Sequence, residues 1–381
     1  MKSSNREKGD TMKIIAFYLP QYYAFPENDK WWGKGFTEWT NVKKSKPLYK
    51  GHYQPTIPLD GNFYTLEDVN VMKWQAQLAK KYGIAGFCFY HYWFGENRQL
   101  MEKPVKNYLN CKEIDFPYCL CWANHNWSRT WVGGDKDILM DVRYGDDKEW
   151  EAHFQYLLPH FKDARYMKMD GKPVLVIYQP QLIPCYDKMI PYLQKRAVES
   201  GLKGLTIVSQ AMYENHDDEL EKYIDYKIQY EPNYSKESAW NNKWQTLKCC
   251  PFYLFDLYLY ILKGFIKRIT RGKLCRYRTY SFDCIWKYIL KRPKKDKKWI
   301  PGAFARCDVT PRRQERAIIY KGSTPEKFAK YFSELIKKNK DESDYIFLSA
   351  WNEWGEGMYL EPDEKYGYRY LEAIKLTLNN M

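Results

Sequence analysis

The chain has 381 residues, 45% of them hydrophobic and 28% charged, enough to bury one large core or two small ones and to exclude an intrinsically disordered protein. Its formal net charge of +14 is unevenly placed: residues 248–298 hold fifteen Lys or Arg against three Asp, a surplus of twelve, and the rest is close to neutral. No nucleic-acid-binding motif accompanies that charge, so no nucleic-acid partner is expected.

Residues 1–12 are polar and charged and read as a disordered tail, with no apolar run of the kind that marks a secretory signal. The ten cysteines show neither zinc-site spacing nor a disulfide framework; Cys119/Cys121 and Cys249/Cys250 are the close pairs. A cytoplasmic, reducing location follows as the expectation, and there the sequons at Asn126 and Asn233 carry no meaning.

From residue 13 to residue 381 one domain is expected. Short runs rich in β-branched and aromatic residues predict strands at 14–19, 84–89, 118–122, 174–178, 205–209, 226–229, 300–304 and 345–350. Apolar residues at three- and four-residue spacing predict helices at 67–82, 147–161, 189–199, 325–338 and 366–378. Eight strands alternating with helices fit a (β/α)8 TIM barrel and, by count alone, a doubly wound sheet nearly as well.

The polar motifs favour the barrel, because they fall just after the strands. Pro20-Gln21-Tyr22-Tyr23 follows the first, Tyr90-His91-Tyr92-Trp93 the second and Ala123-Asn124-His125-Asn126-Trp127 the third. Tyr230-Glu231-Pro232-Asn233-Tyr234 follows the sixth and Arg306-Cys307-Asp308 the seventh. Chemistry gathered from the C-terminal ends of several strands is the barrel arrangement. Aromatic residues make up 18% of the chain, and nine of the fifteen tryptophans (Trp31, Trp32, Trp39, Trp93, Trp122, Trp127, Trp131, Trp351 and Trp354) stand in segments that also carry Asn, His, Glu or Arg. Flat apolar rings beside hydrogen-bonding groups suit a sugar, with its apolar faces and polar rim.

After the eighth strand comes Trp351-Asn352-Glu353-Trp354-Gly355-Glu356-Gly357. An extended chain would send Glu353 and Glu356 to opposite faces. Gly355 and Gly357 permit a turn that brings residues three apart to roughly 5–6 Å at Cβ. Two carboxyl groups so close repel, which raises one pKa and supplies an acid and a base near neutral pH, as retaining glycosyl chemistry needs. Neither a Gly-rich phosphate loop nor an Asp-x-Asp metal motif of ordinary sugar-nucleotide transferases stands out; Asp146-Asp147 and Asp217-Asp218 sit at helix starts. No cofactor and no metal site are expected.

One region, about 246–299, interrupts the pattern and reads as an insertion between strands six and seven. Its first part, 252–269, is apolar and aromatic but broken by Asp256, Lys263, Lys267 and Arg268, too short a run to span a bilayer. Residues 252–298 suit peripheral contact with an anionic membrane, and equally a helical insertion packed on the barrel with a solvated basic face.

Several ordered blocks carry a resemblance: Ala16-Phe17-Tyr18-Leu19-Pro20-Gln21-Tyr22-Tyr23, Gly35-Phe36-Thr37-Glu38-Trp39, Gly86-Phe87-Cys88-Phe89-Tyr90-His91-Tyr92-Trp93-Phe94, Asp170-Gly171-Lys172-Pro173, Asp308-Val309-Thr310-Pro311-Arg312, and Trp351 to Gly357 continuing to Leu360-Glu361-Pro362. Over nearly its whole length the chain resembles the WbsX-type proteins, a group related to glycoside hydrolase family 99 and found among bacterial surface-polysaccharide biosynthesis proteins. The resemblance implies a (β/α)8 barrel. It also implies the chemistry of retaining hydrolases of internal α-mannosidic bonds, in which one glutamate takes the proton of the sugar's own 2-hydroxyl, a 1,2-anhydro sugar forms, and a second glutamate protonates the leaving oxygen. Carried over by motif, Glu353 is the base and Glu356 the acid. Substrate contacts are expected from Tyr18, Gln21, Tyr22, Trp39, Tyr90, His91, Tyr92, Trp122, Asn124, His125, Trp127, Tyr230, Asp308, Trp351 and Asn352. Two positions depart from the pattern: the chain reads Trp122-Ala123-Asn124-His125 where Trp-Ala-Asn-Glu is usual, so an imidazole replaces a carboxylate, and Cys307 precedes Asp308 where a tryptophan is usual.

Three functions follow as expectations: glycosyl transfer in surface-polysaccharide (O-antigen or capsule) assembly at the inner face of the membrane, endo-acting hydrolysis of α-mannoside-like glycans, and a non-catalytic carbohydrate-binding barrel. The expected partner is an oligo- or polysaccharide, including one carried on a lipid.

Overall fold

The computed structural model describes residues 12–129, 134–213, 218–271, 274 and 277–380. The expected tail up to residue 11, together with Trp131 and Asp217, lies outside the described residues. Parallel strands follow one another in chain order: β1 (Lys13–Tyr18), β2 (Ile84–Gly95), β3 (Tyr118–Trp122), β4 (Lys172–Ile177), β5 (Thr206–Ala211), β6 (Tyr226–Gln229), β7 in two pieces (Trp299–Ile300 and Gly302–Phe304) and β8 (Tyr345–Ser349). Each pairs with the next, and β8 returns to β1 through Lys13↔Tyr345 to Ala16↔Leu348, so the sheet closes into the (β/α)8 barrel.

The seventh strand divides at Pro301, which has no N–H to give a ladder. Its first piece pairs with β6, its second with β8, and the Pro301 carbonyl still accepts from Phe347 N at 3.1 Å. Closure also needs Gly302, because a Cβ there would lie 1.7 Å from the Gln229 carbonyl oxygen.

Strand alternation divides each segment between the barrel interior and the helices outside. Phe17, Tyr90, Tyr230 and Phe347 meet across the interior, with ring centroids 5.3–5.6 Å from Phe17. One residue on, the side chains turn outward: Tyr18 donates to Gln75 of the helix Val69–Lys81 at 2.6 Å, and His91 meets His153 of the helix Asp147–Lys162 at 2.8 Å. Asp146 caps that second helix by accepting from Lys148 N, which is the structural use of the Asp146-Asp147 pair.

The connection from β6 to β7 has two characters. The helix Phe282–Lys291 is part of the barrel wall, with Trp286 stacked on Phe304 of β7 (5.7 Å) and on Tyr331 of the helix Pro325–Asn339 (5.8 Å). The helices Asn233–Asn241, Lys243–Cys249 and Pro251–Ile269 before it are the added structure, tied in by the strand Arg278–Ser281, which pairs with Ile318–Lys321. None of the described helices is long and apolar enough to cross a membrane.

Candidate active site

At the C-terminal mouth of the barrel lies an open cavity. Of the expected residues, Gln21, Tyr90, Tyr92, His125, Trp127, Tyr230, Glu353 and Glu356 line it. They share the wall with Leu19, Ala123, Asn126, Ser128, Tyr178, Met212, Asn233 and Arg312, none of them among the expected site residues. Tyr90 and Tyr92 both face inward because they are two apart on β2, and Trp127 closes the wall edge-on to Tyr92 at 5.3 Å.

The two glutamates sit on a turn held from below. Asn352 clamps the end of β1, accepting from Leu19 N at 2.8 Å and donating to Leu19 O at 3.0 Å. Tyr22 donates to the Asn352 carbonyl and accepts from Trp354 N at 3.2 Å. The chain then makes a 3₁₀ turn over Trp354–Glu356 and leaves through Gly357 in the left-handed region (φ 61°), so the expected glycine turn is present. Trp354 lies flat on Tyr359 (3.6 Å) and donates to Glu361 at 2.7 Å, so its ring supports the turn from beneath.

Arg312 joins three carboxylates. Its Nε donates to Glu38 at 2.7 Å, while Nη1 contacts Glu356 and lies 3.6 Å from Glu353. Burial, followed by the like charge of Glu356, raises the Glu353 carboxyl above the ordinary carboxylate range, and Arg312 pulls the other way. Burial likewise raises Glu38 against the pull of Arg312. Both residues belong to motifs already noted, Thr37-Glu38-Trp39 and Thr310-Pro311-Arg312. The signal that would have found Arg312 is electrostatic: buried carboxylates side by side demand a cation.

Two wall residues have buried polar atoms with no protein partner among the described residues: both amide atoms of Gln21 and Nδ1 of His125. Such atoms are costly unless a ligand or water meets them. Burial lowers the His125 pKa to about 4, so its imidazole is neutral at physiological pH and both donates and accepts.

The other expected contacts stand behind the wall. Tyr18, His91 and Trp122 have the outward parity of their strands; Trp122 donates to the Trp93 carbonyl at 3.0 Å and packs on His153. His91 therefore does not share the pocket of Tyr90 and Tyr92, and burial lowers its pKa well below the usual value. Trp39 donates to Tyr64 O and packs under Trp354, and Trp351 packs on Phe87. Tyr22 and Asn352 hold the turn as described. Asn124 bridges two loops through both its amide atoms and the Gln179 backbone. Asp308 accepts from Gln54 (2.9 Å) and Thr310 N (3.0 Å) and meets His52 at 2.7 Å, while its own N–H binds the Glu356 carbonyl at 2.8 Å. It anchors the loop that carries Arg312.

Comparison with known proteins bears on the family and the fold. Residues 14–374 match the family model described as glycosyltransferase WbsX. An uncharacterized protein, WxcX, of Xanthomonas campestris pv. campestris is 31% identical over 369 residues, 96% of this chain and 49% of the relative, so the chain spans about half the length of the curated relatives it matches. Among solved structures, an endo-alpha-mannosidase of glycoside hydrolase family 99 from Bacteroides thetaiotaomicron shares the fold, with a TM-score of 0.54 at 14% identity and 96% of both chains covered. A glycoside hydrolase-like protein gives 0.55 at 15% identity, covering 99% of this chain and 97% of its own. The match over nearly the whole length places this chain in the WbsX family.

Proposed function

We propose that the chain is a carbohydrate-active enzyme that transfers a glycosyl unit during assembly of a bacterial surface polysaccharide, with Glu353 and Glu356 as base and acid. The observation that carries this reading is the pair of glutamates gathered around one guanidinium in an aromatic-walled cavity. In the scheme the resemblance implies, Glu353 takes the proton of the 2-hydroxyl and O2 bonds to C1. The bond from C1 to the leaving oxygen breaks, and Glu356 protonates that oxygen. An acceptor hydroxyl then attacks C1, giving its proton to Glu356, while the C1–O2 bond breaks and O2 recovers a proton from Glu353.

The pair needs one proton between its members, which burial and mutual repulsion provide near neutral pH. Burial and the charge of Glu356 raise Glu353 while Arg312 opposes them, so the two carboxyls titrate as a pair. The implied roles require the shared proton on Glu356 at bond cleavage, and Arg312, beside both carboxylates, is placed to bias which of them holds it.

The reading carries a lipid-linked or polymeric donor and a cytoplasmic setting, supported by ten cysteines without a disulfide pattern. Hydrolysis of α-mannoside-like glycans is the second reading, favoured by the fold shared with the endo-alpha-mannosidase; it differs only in having water as acceptor. Incubating the protein with α-mannosyl oligosaccharides, with and without a sugar acceptor, and weighing the products tests both. Longer glycans indicate transfer, reducing ends alone indicate hydrolysis, and binding without turnover indicates a carbohydrate-binding barrel.

A further inference from the structure

The helix Pro251–Ile269 breaks the usual rule for a helix packed on a protein. Its inner side is anchored by Tyr253 and Leu257, both buried, and by Tyr260 stacked on Tyr280 at 4.5 Å. Its outer side should then be polar, yet Phe255 (62% exposed), Tyr258, Ile261, Leu262, Phe265 (60%) and Ile269 (65%) face solvent. At 100° per residue these six fall within one arc of about 120° that contains no charged side chain. Asp256, Lys263 and Lys267 lie along the flank, where Asp256 accepts from Ser281 N (2.7 Å), Lys263 donates to Thr279 (3.2 Å) and Lys267 to the Glu315 carbonyl (2.7 Å). The exposed tryptophan Trp244 (78%) and Leu247 extend the apolar surface onto the preceding helix.

We propose that this face rests on an anionic lipid bilayer and holds the mouth of the cavity at the headgroup layer. Two observations choose this occupant. The apolar face lies within the segment that carries nearly all the chain's surplus positive charge, and Lys243, Lys248, Arg268 and Arg271 beside it are exposed. Apolar residues set among cations match the acyl boundary and headgroups of an acidic leaflet. The second observation is position. The helix Phe282–Lys291 leads into the start of β7, so the strand Arg278–Ser281 before it stands at the catalytic end of the barrel. Lys267 reaches the loop that carries Arg312, since Glu315 is three residues on. The helix that bears the apolar face therefore touches the segment that follows Arg312. A surface bound there suits a glycan held on a lipid carrier, a consequence that rests on the proposed function; the docking itself does not.

The test is co-sedimentation of the full chain with vesicles of phosphatidylcholine alone or mixed with phosphatidylglycerol, at low and high salt. The triple substitution F255E/L262E/F265E is the matched control; it changes exposed side chains and spares the wall helix Phe282–Lys291. Binding that rises with phosphatidylglycerol, falls at least tenfold in high salt and is lost in the triple variant, with its melting temperature and any activity on a soluble glycan kept, is the expected result. Absence of binding at low salt overturns the proposal, as does equal binding by the variant. A dimer that the same substitutions dissolve, without vesicle binding, assigns the face to a second copy and also overturns it. Because soluble-glycan turnover is read separately, failure of the docking and failure of the enzymatic reading are distinguishable.

Discussion

The carboxylate of Glu38 occupies the space where a side chain on residue 355 would begin: a Cβ built on Gly355 would lie 1.5 Å from Glu38 Oε1 and 2.9 Å from Arg312 Nε. The glycine between the two glutamates thus admits the carboxylate that fixes the guanidinium. Gly355→Ala should destabilise the fold by about 1–3 kcal/mol, the usual cost of overpacking. It should also lower turnover at least about tenfold by displacing Arg312. Thermal melting and initial rates on one sample check this, and an unchanged rate contradicts the role given to the cluster.

Arg312→Lys keeps the charge but loses the fork that spans three carboxylates, so turnover should fall about 10²-fold. Arg312→Gln removes the cation that lowers the Glu353 pKa. Glu353 then ionises only at higher pH, and the acidic limb of kcat/KM should move upward. A limb that stays in place or moves down refutes the coupling.

The parity of β2 gives a paired prediction. His91 faces the helix Asp147–Lys162, so His91→Gln should cost stability, about 1–2 kcal/mol, and leave kcat and KM near normal. Tyr92→Phe should leave melting nearly unchanged and weaken kcat/KM about tenfold, because Tyr92 lines the cavity. The reverse pattern would mean that the wall has been misassigned.

Strand positions were legible because β-branched and aromatic runs bounded by polar residues have few other uses: 118–122 and 226–229 coincide with β3 and β6. The helix Glu102–Asn110 went unseen, since its start at Met101 has no capping side chain. So did the wall helix Phe282–Lys291, which the surrounding lysines made look like part of the insertion. Within the site, the turn of Glu353 and Glu356 followed from its glycines. The choice between Tyr90 and His91 was available from alternation but needs one inward residue as reference. Arg312 comes from the helical turn Thr310–Arg313, 41 residues before Glu353, and only folding brings them together.

Glu361 accepts from Tyr64, Gln75 and Trp354, and burial raises its pKa to about 7. A carboxyl raised in the folded state contributes stability that is complete below its unfolded pKa, about 4.3, and is lost as pH rises through the folded value. Between those limits Glu361→Gln should flatten the fall of stability with pH by an amount on the order of 3 kcal/mol. Denaturant unfolding at pH 4.5 and pH 7.5 measures it, and parallel slopes for the two proteins would show that Glu361 is ionised throughout.

The central claim is that Glu353 and Glu356 perform glycosyl chemistry as a pair. Its most direct test is the turnover of an α-mannosyl oligosaccharide by the wild-type chain, Glu353→Gln and Glu356→Gln, each confirmed folded by its melting temperature. The account predicts turnover with retained anomeric configuration in the wild type and a fall of roughly 10²-fold or more in each variant. Near wild-type rates in either variant, or inversion at C1, would contradict it.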